Sequence, residues 1–331
     1  MKVKKRIRRG ASMPARAALA GVPATLLLGL LAAHDAQAQC KPGGQIDSNV
    51  AVVCEGGIDF YGVSAKSGAT NISVEVKNDG GIDTYNSAIQ LGGGSSVGVQ
   101  GSVWSSNNHA ISASGVGGQD ITTGSFAELR ARNHGILATG QGPLGNVFIN
   151  NAGTIRGLLN QGGIAATVTS AENMRLNVSN SGLIEVGGTG GGIRASGYLN
   201  STVSLNNSGR IIAASQALWA QGQDVSVRNS GALDIVRSGG GYGIYGEATF
   251  TTAKKAEVNI YNDAAISFSE GSGYGLGIWA QASVSTPDYL NSDNRGIAKV
   301  SNHGSIIGLG RAAGGIHASG KDEAEIINRG D

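Results

Sequence analysis

The sequence predicts an all-β protein, a right-handed parallel β-helix of roughly ten coils. Three observations predict it. The first is composition: 55 of 331 residues are Gly and only 5 are Pro, yet 40% are hydrophobic. Gly this dense without apolar residues would read as low-complexity chain; with them it reads as many short strands joined by turns. The second is a pair of alternating short motifs that return throughout the chain. The third is the apolar/polar alternation inside each copy, a period of two with no helical period beside it.

The first motif is apolar-x-apolar-x-Asn-x-Gly-x-apolar, as in "DVSVRNSGALDI" and "MRLNVSNSGLIE". Its Asn slot holds Asn78, Asn151, Asn180, Asn207, Asn229, Asn262, Asn302 and Asn328, with Val99 and Thr122 in degenerate copies. Gly follows two residues later in every copy except at Ala264, and an apolar residue such as Ile155, Ile184 or Leu233 stands four after the slot. In the "DITTGSF" copy that apolar residue is Phe126. The second motif is Gly-Ile-x-Ala-x-Gly, as in "GILATG", "GIRASG" and "GIHASG". Its leading apolar residues run from Val63 to Ile316, and Ala stands two after most of them. The two motifs alternate strictly from Val63 to Asn328.

Successive copies of the first motif lie 21 to 40 residues apart. The short limit suffices for three strands of four or five residues plus three turns. Such a unit cannot bury its own apolar face and must stack on its neighbours. Stacking at about 4.8 Å per coil predicts a rod on the order of 50 Å long, with Val, Ile and Leu in inward columns. The Asn column is expected to be structural: Asn tolerates the left-handed conformation of a sharp bend and can ladder its amides along the rod, and Gly permits a positive φ after it. The N-x-S/T matches ("NIS", "NVS", "NST", "NNS") are expected by chance in so Asn- and Ser-rich a chain.

Residues 1–38 stand apart. "MKVKKRIRRG" is a cationic leader, Ala17 to Ala33 an apolar core holding Pro23 and Gly29, and "AQA" at Ala36 to Ala38 a cleavage site, together predicting a secretory signal peptide. Seven of the 25 basic residues and one of the 23 acidic residues lie there. The remainder holds 18 basic and 22 acidic residues, a net charge of −4, and offers nothing for nucleic acid. Residues 39–57 are expected to be an N-terminal capping segment pinned by a Cys40–Cys54 disulfide, the default for two cysteines outside the cytoplasm. Its loop of about 15 residues is worth roughly 3 kcal/mol in the chain-entropy model. Residues 58–331 are the repeats.

A cationic signal, two closely spaced cysteines, little Pro, and repeats such as "NNAGTIRG…GGIAAT" and "SNSGLIEV…GGIRASG" together resemble the passenger region of a bacterial autotransporter, of the pertactin-like β-helix adhesin type. The resemblance covers residues 55–331. It implies export by the Sec machinery, passage through an outer-membrane barrel, and display at the cell surface or secretion. It also implies adhesion to a host-cell surface protein or glycan. The family ends in a C-terminal translocator barrel, whereas this chain stops at "EIINRGD" inside a repeat, so the expectation is a fragment or a truncated reading frame, periplasmic if truncated.

Chemistry-bearing patterns are sparse. "GSSVG" at Gly94 to Gly98 has the nucleophile-elbow spacing without a helix to follow, and "GQGPLG" at Gly140 to Gly145 is a chance match to a dinucleotide loop. His109, His134 and His303 fill the variable slot beside a repeat Asn. No metal-ligand spacing occurs, and no cofactor is expected. Asp83, Asp120, Asp224 and Asp234 fall at different repeat positions, so no acid column of a polysaccharide-cleaving β-helix emerges. Two features point to partners. The residue after the leading apolar position of the second motif is Trp219, Tyr245, Trp279 and His317 in four successive copies, which predicts an exposed ladder. Arg329, Gly330 and Asp331 spell an integrin-type tripeptide, although Arg329 and Gly330 also fill ordinary repeat slots. Extra residues at Glu247 to Glu257 and Ala282 to Gly296 predict side loops. The function expected is adhesion without catalysis. A β-helix polysaccharide-active enzyme and a passive surface or biofilm scaffold are the alternatives.

Overall fold

In a computed structural model the chain forms three long parallel sheets wound around one core. The structure describes residues 40–331 except 159–160, 170–172, 199, 237–240, 251–254, 270–274, 285–294 and 309–312. The expected signal peptide therefore lies outside the described residues. Two sheets contain eleven strands and the third contains ten. Each coil contributes one strand to each sheet, giving ten complete coils and two strands of an eleventh. Coil 1 comprises Gly44–Ile46, Ala51–Cys54 and Gly57–Asp59, and the coils are numbered upward from it. Every strand pairs in parallel with its counterpart one coil away. The chain is a parallel β-helix.

The register shows why these residues form these strands. In the first sheet Ile111, Ile136, Ile164, Ile193, Leu218, Ile244, Ile278 and Ile316 pair in one unbroken column, with Ala113, Ala138, Ala166, Ala195 and Ala220 in a second column two residues on. In the third sheet Ile155, Ile184, Ile211, Leu233, Ile266 and Ile306 form another. These columns meet in one continuous core. Each buried Ile or Leu contributes on the order of 2 kcal/mol from leaving water.

The Asn column is a buried amide ladder. The Nδ2 of Asn151 donates to Asn180 Oδ1 at 2.6 Å, and Asn180, Asn207, Asn229, Asn262 and Asn302 each donate to the next Asn at 2.7 Å, ending on Asn328. Nδ2 also donates to the carbonyl two residues ahead, 2.9 Å from Asn207 to Gly209 and 2.7 Å from Asn302 to Gly304. One amide thus closes its own bend and ties it to the next coil. Asn151 to Asn302 are buried and Asn328 is exposed.

Three expectations need correction. Thr123, not Thr122, occupies the column beside Asn151 and donates its hydroxyl to Asn151 Oδ1. That coil has a longer bend, so Leu129 takes the inward position and Phe126 is 81% exposed. Asn78 lies outside the ladder, in a turn, and Val76 holds its place opposite Val99. Left-handed backbone also plays no part at the bend. Positive φ outside Gly occurs at Asn49, Asn71 and Asn200 among the described residues, none of them in the column. The repeat Gly is required by close approach. A Cβ at Gly209 would lie 2.0 Å from the carbonyl oxygen of Gly182 one coil below, and at Gly231 1.8 Å from that of Gly209.

Cys40 and Cys54 are joined by a disulfide. The segment they staple forms coil 1 itself. Lys41 and Val53 exchange backbone hydrogen bonds, and Asp59 accepts one from the Cys40 N–H at 2.8 Å.

Candidate partner-binding face

Outward positions on the first sheet stack as strictly as the inward ones. The strands concerned are Gly191–Gly197, Leu218–Gly222, Gly241–Phe250, Gly275–Val284 and Ala313–Gly320, in coils 7 to 11. Arg194, Trp219, Tyr245, Trp279 and His317 form one column across them. The Arg194 guanidinium sits 4.4 Å over the Trp219 ring. Trp219 and Tyr245 stack with centroids 5.9 Å apart and planes 5° from parallel; Tyr245 and Trp279 follow at 6.4 Å and 19°. His317 lies 4.2 Å from Trp279. Tyr242 packs from the side, 5.1 Å from Tyr245 and edge-on to Trp279.

The four aromatic residues named by the sequence are therefore brought together. They are half-buried rather than fully exposed, because each ring leans on the next coil's ring. Parallel rings in full face contact would sit about 3.5–4 Å apart. At 5.9 and 6.4 Å the rings are short of full face contact, and each residue stays partly accessible.

A polar row runs beside the aromatic one. Gln221, Glu247 and Gln281 pair in register two residues further along each strand. Glu247 Oε2 accepts from the Tyr245 hydroxyl at 2.9 Å and from Gln221 Nε2 at 3.3 Å, and Trp279 Nε1 donates to Gln281 Oε1 at 3.3 Å. Burial, first, and the Glu247 carboxylate hold the Tyr245 phenol well above its ordinary pKa, so it remains a donor. Sequence reasoning missed Arg194, Tyr242 and this row. The signal was present, because the row sits three residues after the leading apolar position of the second motif. The side loops expected at Glu247 to Glu257 and Ala282 to Gly296 are strand over 247–250, 255–257, 282–284 and 295–296, lengthening the strands of coils 9 and 10, with 251–254 and 285–294 outside the described residues.

The other candidates separate. The Arg329–Asp331 tripeptide is tied into the last bend: the Arg329 N–H donates to Asn302 O at 2.8 Å, the Ile306 N–H donates to Asp331 O at 3.0 Å, and Gly330 lies against Gly304. Asp83, Asp120, Asp224 and Asp234 fall on three coils and two sheets, and Asp234 is paired with Arg210 at 2.8 Å. Among the described residues no group of three His, Cys, Asp or Glu side chains could hold a metal ion. Nor is any helix long and apolar enough to cross a membrane.

One cluster has the outline of a hydrolytic triad. His303 Nδ1 lies 2.9 Å from Asp263 Oδ1, and Ser301 Oγ lies 3.4 Å from His303 Nε2. All three face solvent, with side-chain exposures of 44% for His303 and 61% for Asp263. Acyl transfer also needs donors aimed at the developing oxyanion. Ser301 is paired on both strand edges, and the N–H groups of His303 and Gly304 both donate to Asn262 O. No reaction is assigned to this cluster.

His109 and His134 stack at the corner of coils 4 and 5, with centroids 5.2 Å apart. Burial, then the neighbouring His109 and Arg194, lowers the His134 pKa to about 4. Burial also lowers that of His109.

Fold and face together define a parallel β-helical repeat protein with an asymmetric outer surface. No protein-family model, no curated protein and no solved structure matches the chain.

Proposed function

We propose that this chain is the exported passenger rod of an autotransporter-type system, a non-catalytic adhesin that engages a host-cell surface protein or glycan through the first-sheet face. The supporting observation is the register-stacked column Arg194–Trp219–Tyr245–Trp279–His317 on an outward surface. A contiguous aromatic strip on a soluble rod is a feature of partner contact. Export follows from the signal-like segment at 1–38 through the Sec machinery and then an outer-membrane barrel.

The test has two readouts on cells producing the protein. Surface protease should reach the product, and Trp219→Leu with Trp279→Leu should reduce attachment to host cells. A product confined to the periplasm, or attachment indifferent to both substitutions, would overturn the proposal. The mutual stacking of the rings favours one second reading, a passive scaffold in which the ladder only stabilises the sheet at about 0.5–1.5 kcal/mol per pair. On that reading the double variant melts earlier and attaches as before.

A further inference from the structure

We infer that the ligand of this face is a linear, non-anionic polysaccharide lying along the rod axis, held by the aromatic column and by the Gln221–Glu247–Gln281 row. The inference rests on the reading of the face as a contact surface. Three observations carry it.

The first is the state of the backbone. Each strand bearing Trp219, Tyr245 and Trp279 is hydrogen-bonded to a neighbouring coil on both edges. An extended peptide that docks as an added strand needs a free edge. The strands bearing Trp219, Tyr245 and Trp279 offer none, so recognition along them comes from side chains; the strand Ala313–Gly320, which bears His317, pairs on one edge only.

The second is the pairing of chemistries. One column presents partly accessible aromatic rings. The adjacent one presents amide, carboxylate and amide groups, one per coil. A sugar ring has the same duality: apolar C–H faces and a rim of hydroxyls that both donate and accept. Amides and carboxylates match such a rim because each can make two hydrogen bonds at once. From Arg194 to His317 there are four coil steps, roughly 20 Å, with a repeating contact at each step. A repeating polymer can satisfy such an array.

The third is charge. Glu247 stands in the middle of the polar row, and its hydrogen-bond partners there, Tyr245 and Gln221, are both neutral. No ion pair involves it among the described residues. A polymer with a negative charge on each unit would meet this carboxylate; a neutral or amine-bearing one would not. Arg194 lies at the far end of the column.

The experiment is affinity electrophoresis and titration of the full exported chain against a linear unsulfated β-glucan, chitosan oligomers and hyaluronate, with host-cell attachment measured in parallel. The expected result is binding of the β-glucan or chitosan, not of hyaluronate. Gln221→Ala with Gln281→Ala should weaken it on the order of tenfold, two hydrogen bonds being lost. Both glutamines are outward, and an unchanged melting curve confirms that the variant is folded. Glu247→Gln separates the sources: loss of chitosan binding alone marks an amine-bearing ligand, and unchanged binding marks a neutral one. Binding of hyaluronate only, or of no glycan while attachment still depends on Trp219 and Trp279, would overturn the ligand class and leave the contact surface standing with a protein partner. Indifference of both glycan binding and attachment to the Trp substitutions would overturn both.

Discussion

Replacing Asn207 by Ala tests whether the amide ladder holds the coils together. In the structure the Asn207 amide donates to Gly209 O at 2.9 Å and to Asn229 Oδ1 at 2.7 Å, and accepts from Asn180 Nδ2 at 2.7 Å. Alanine removes three bonds, each worth about 1 kcal/mol net, and leaves Asn229 Oδ1 and one Asn180 hydrogen facing a buried site without a partner. The expected loss is about 3–5 kcal/mol. Asn328→Ala is the matched control. It removes one acceptor, from Asn302 Nδ2, at an exposed end where water can replace it, and should cost under about 1 kcal/mol. A solenoid need not unfold in one step. The assay is therefore amide exchange of the strand Thr202–Asn207, read together with urea unfolding. Loss of protection should centre on coils 6 to 8. Equal costs for Asn207→Ala and Asn328→Ala would refute the ladder as a stabilising element. Asn207→Asp sharpens the test, because a carboxylate cannot donate to Asn229 Oδ1. That variant should be the worse of the two at neutral pH and partly recover once the carboxyl is protonated.

Three further outcomes are expected. Gly209→Ala places a Cβ 2.0 Å from the Gly182 carbonyl oxygen and should destabilise by several kcal/mol, whereas Gly98→Ala has open space and should be neutral or stabilising by up to about 1 kcal/mol; equal effects in urea melts would contradict the close-approach account. His134 titrates below its ordinary value, so the unfolded chain binds a proton first and stability falls as pH drops from about 6.5 toward 4. His134→Gln should reduce the slope of the urea midpoint across that window, with His109 keeping its own share, and an unchanged slope would remove His134 as a cause. Reducing Cys40–Cys54 should cost roughly 3 kcal/mol, felt as faster amide exchange in coil 1 alone; exchange that also quickens in the distant coils would count against a local staple.

The fold was legible because the inward columns are strictly periodic. A shift of one residue would turn every side chain of a strand from core to solvent, so the sequence has to keep the alternation in phase. What failed was phase across the bends. Thr122 and Phe126 were placed by counting a constant distance from the Asn slot, but coil 4 has a longer bend, and the inward residues are Thr123 and Leu129. Asn78 failed in the same way, its slot belonging to Val76. Asn and Gly in the motif looked like a left-handed turn because isolated turns use them so. In a stack the decisive constraint comes from the coil below, which a single repeat does not contain.

The candidate face obeys the same arithmetic with a different freedom. Inward positions are fixed by packing, and both strand edges by hydrogen bonds, so outward columns are where one coil can differ from the next without disturbing the stack. Over most of the second sheet that freedom is spent on short polar residues such as Asn177, Ser204 and Ser226. In coils 8 to 11 of the first sheet it is spent on Trp, Tyr, Trp and His in unbroken register, with Gln, Glu and Gln beside them. In the same region the strands lengthen, from five residues in Leu218–Gly222 to ten in Gly241–Phe250 and Gly275–Val284. Core packing requires neither change, since Leu218, Ile244 and Ile278 are fully buried in coils with short strands and long ones alike. The core gives no reason for the aromatic column and the longer strands to coincide, and the contact surface proposed for that face calls for both.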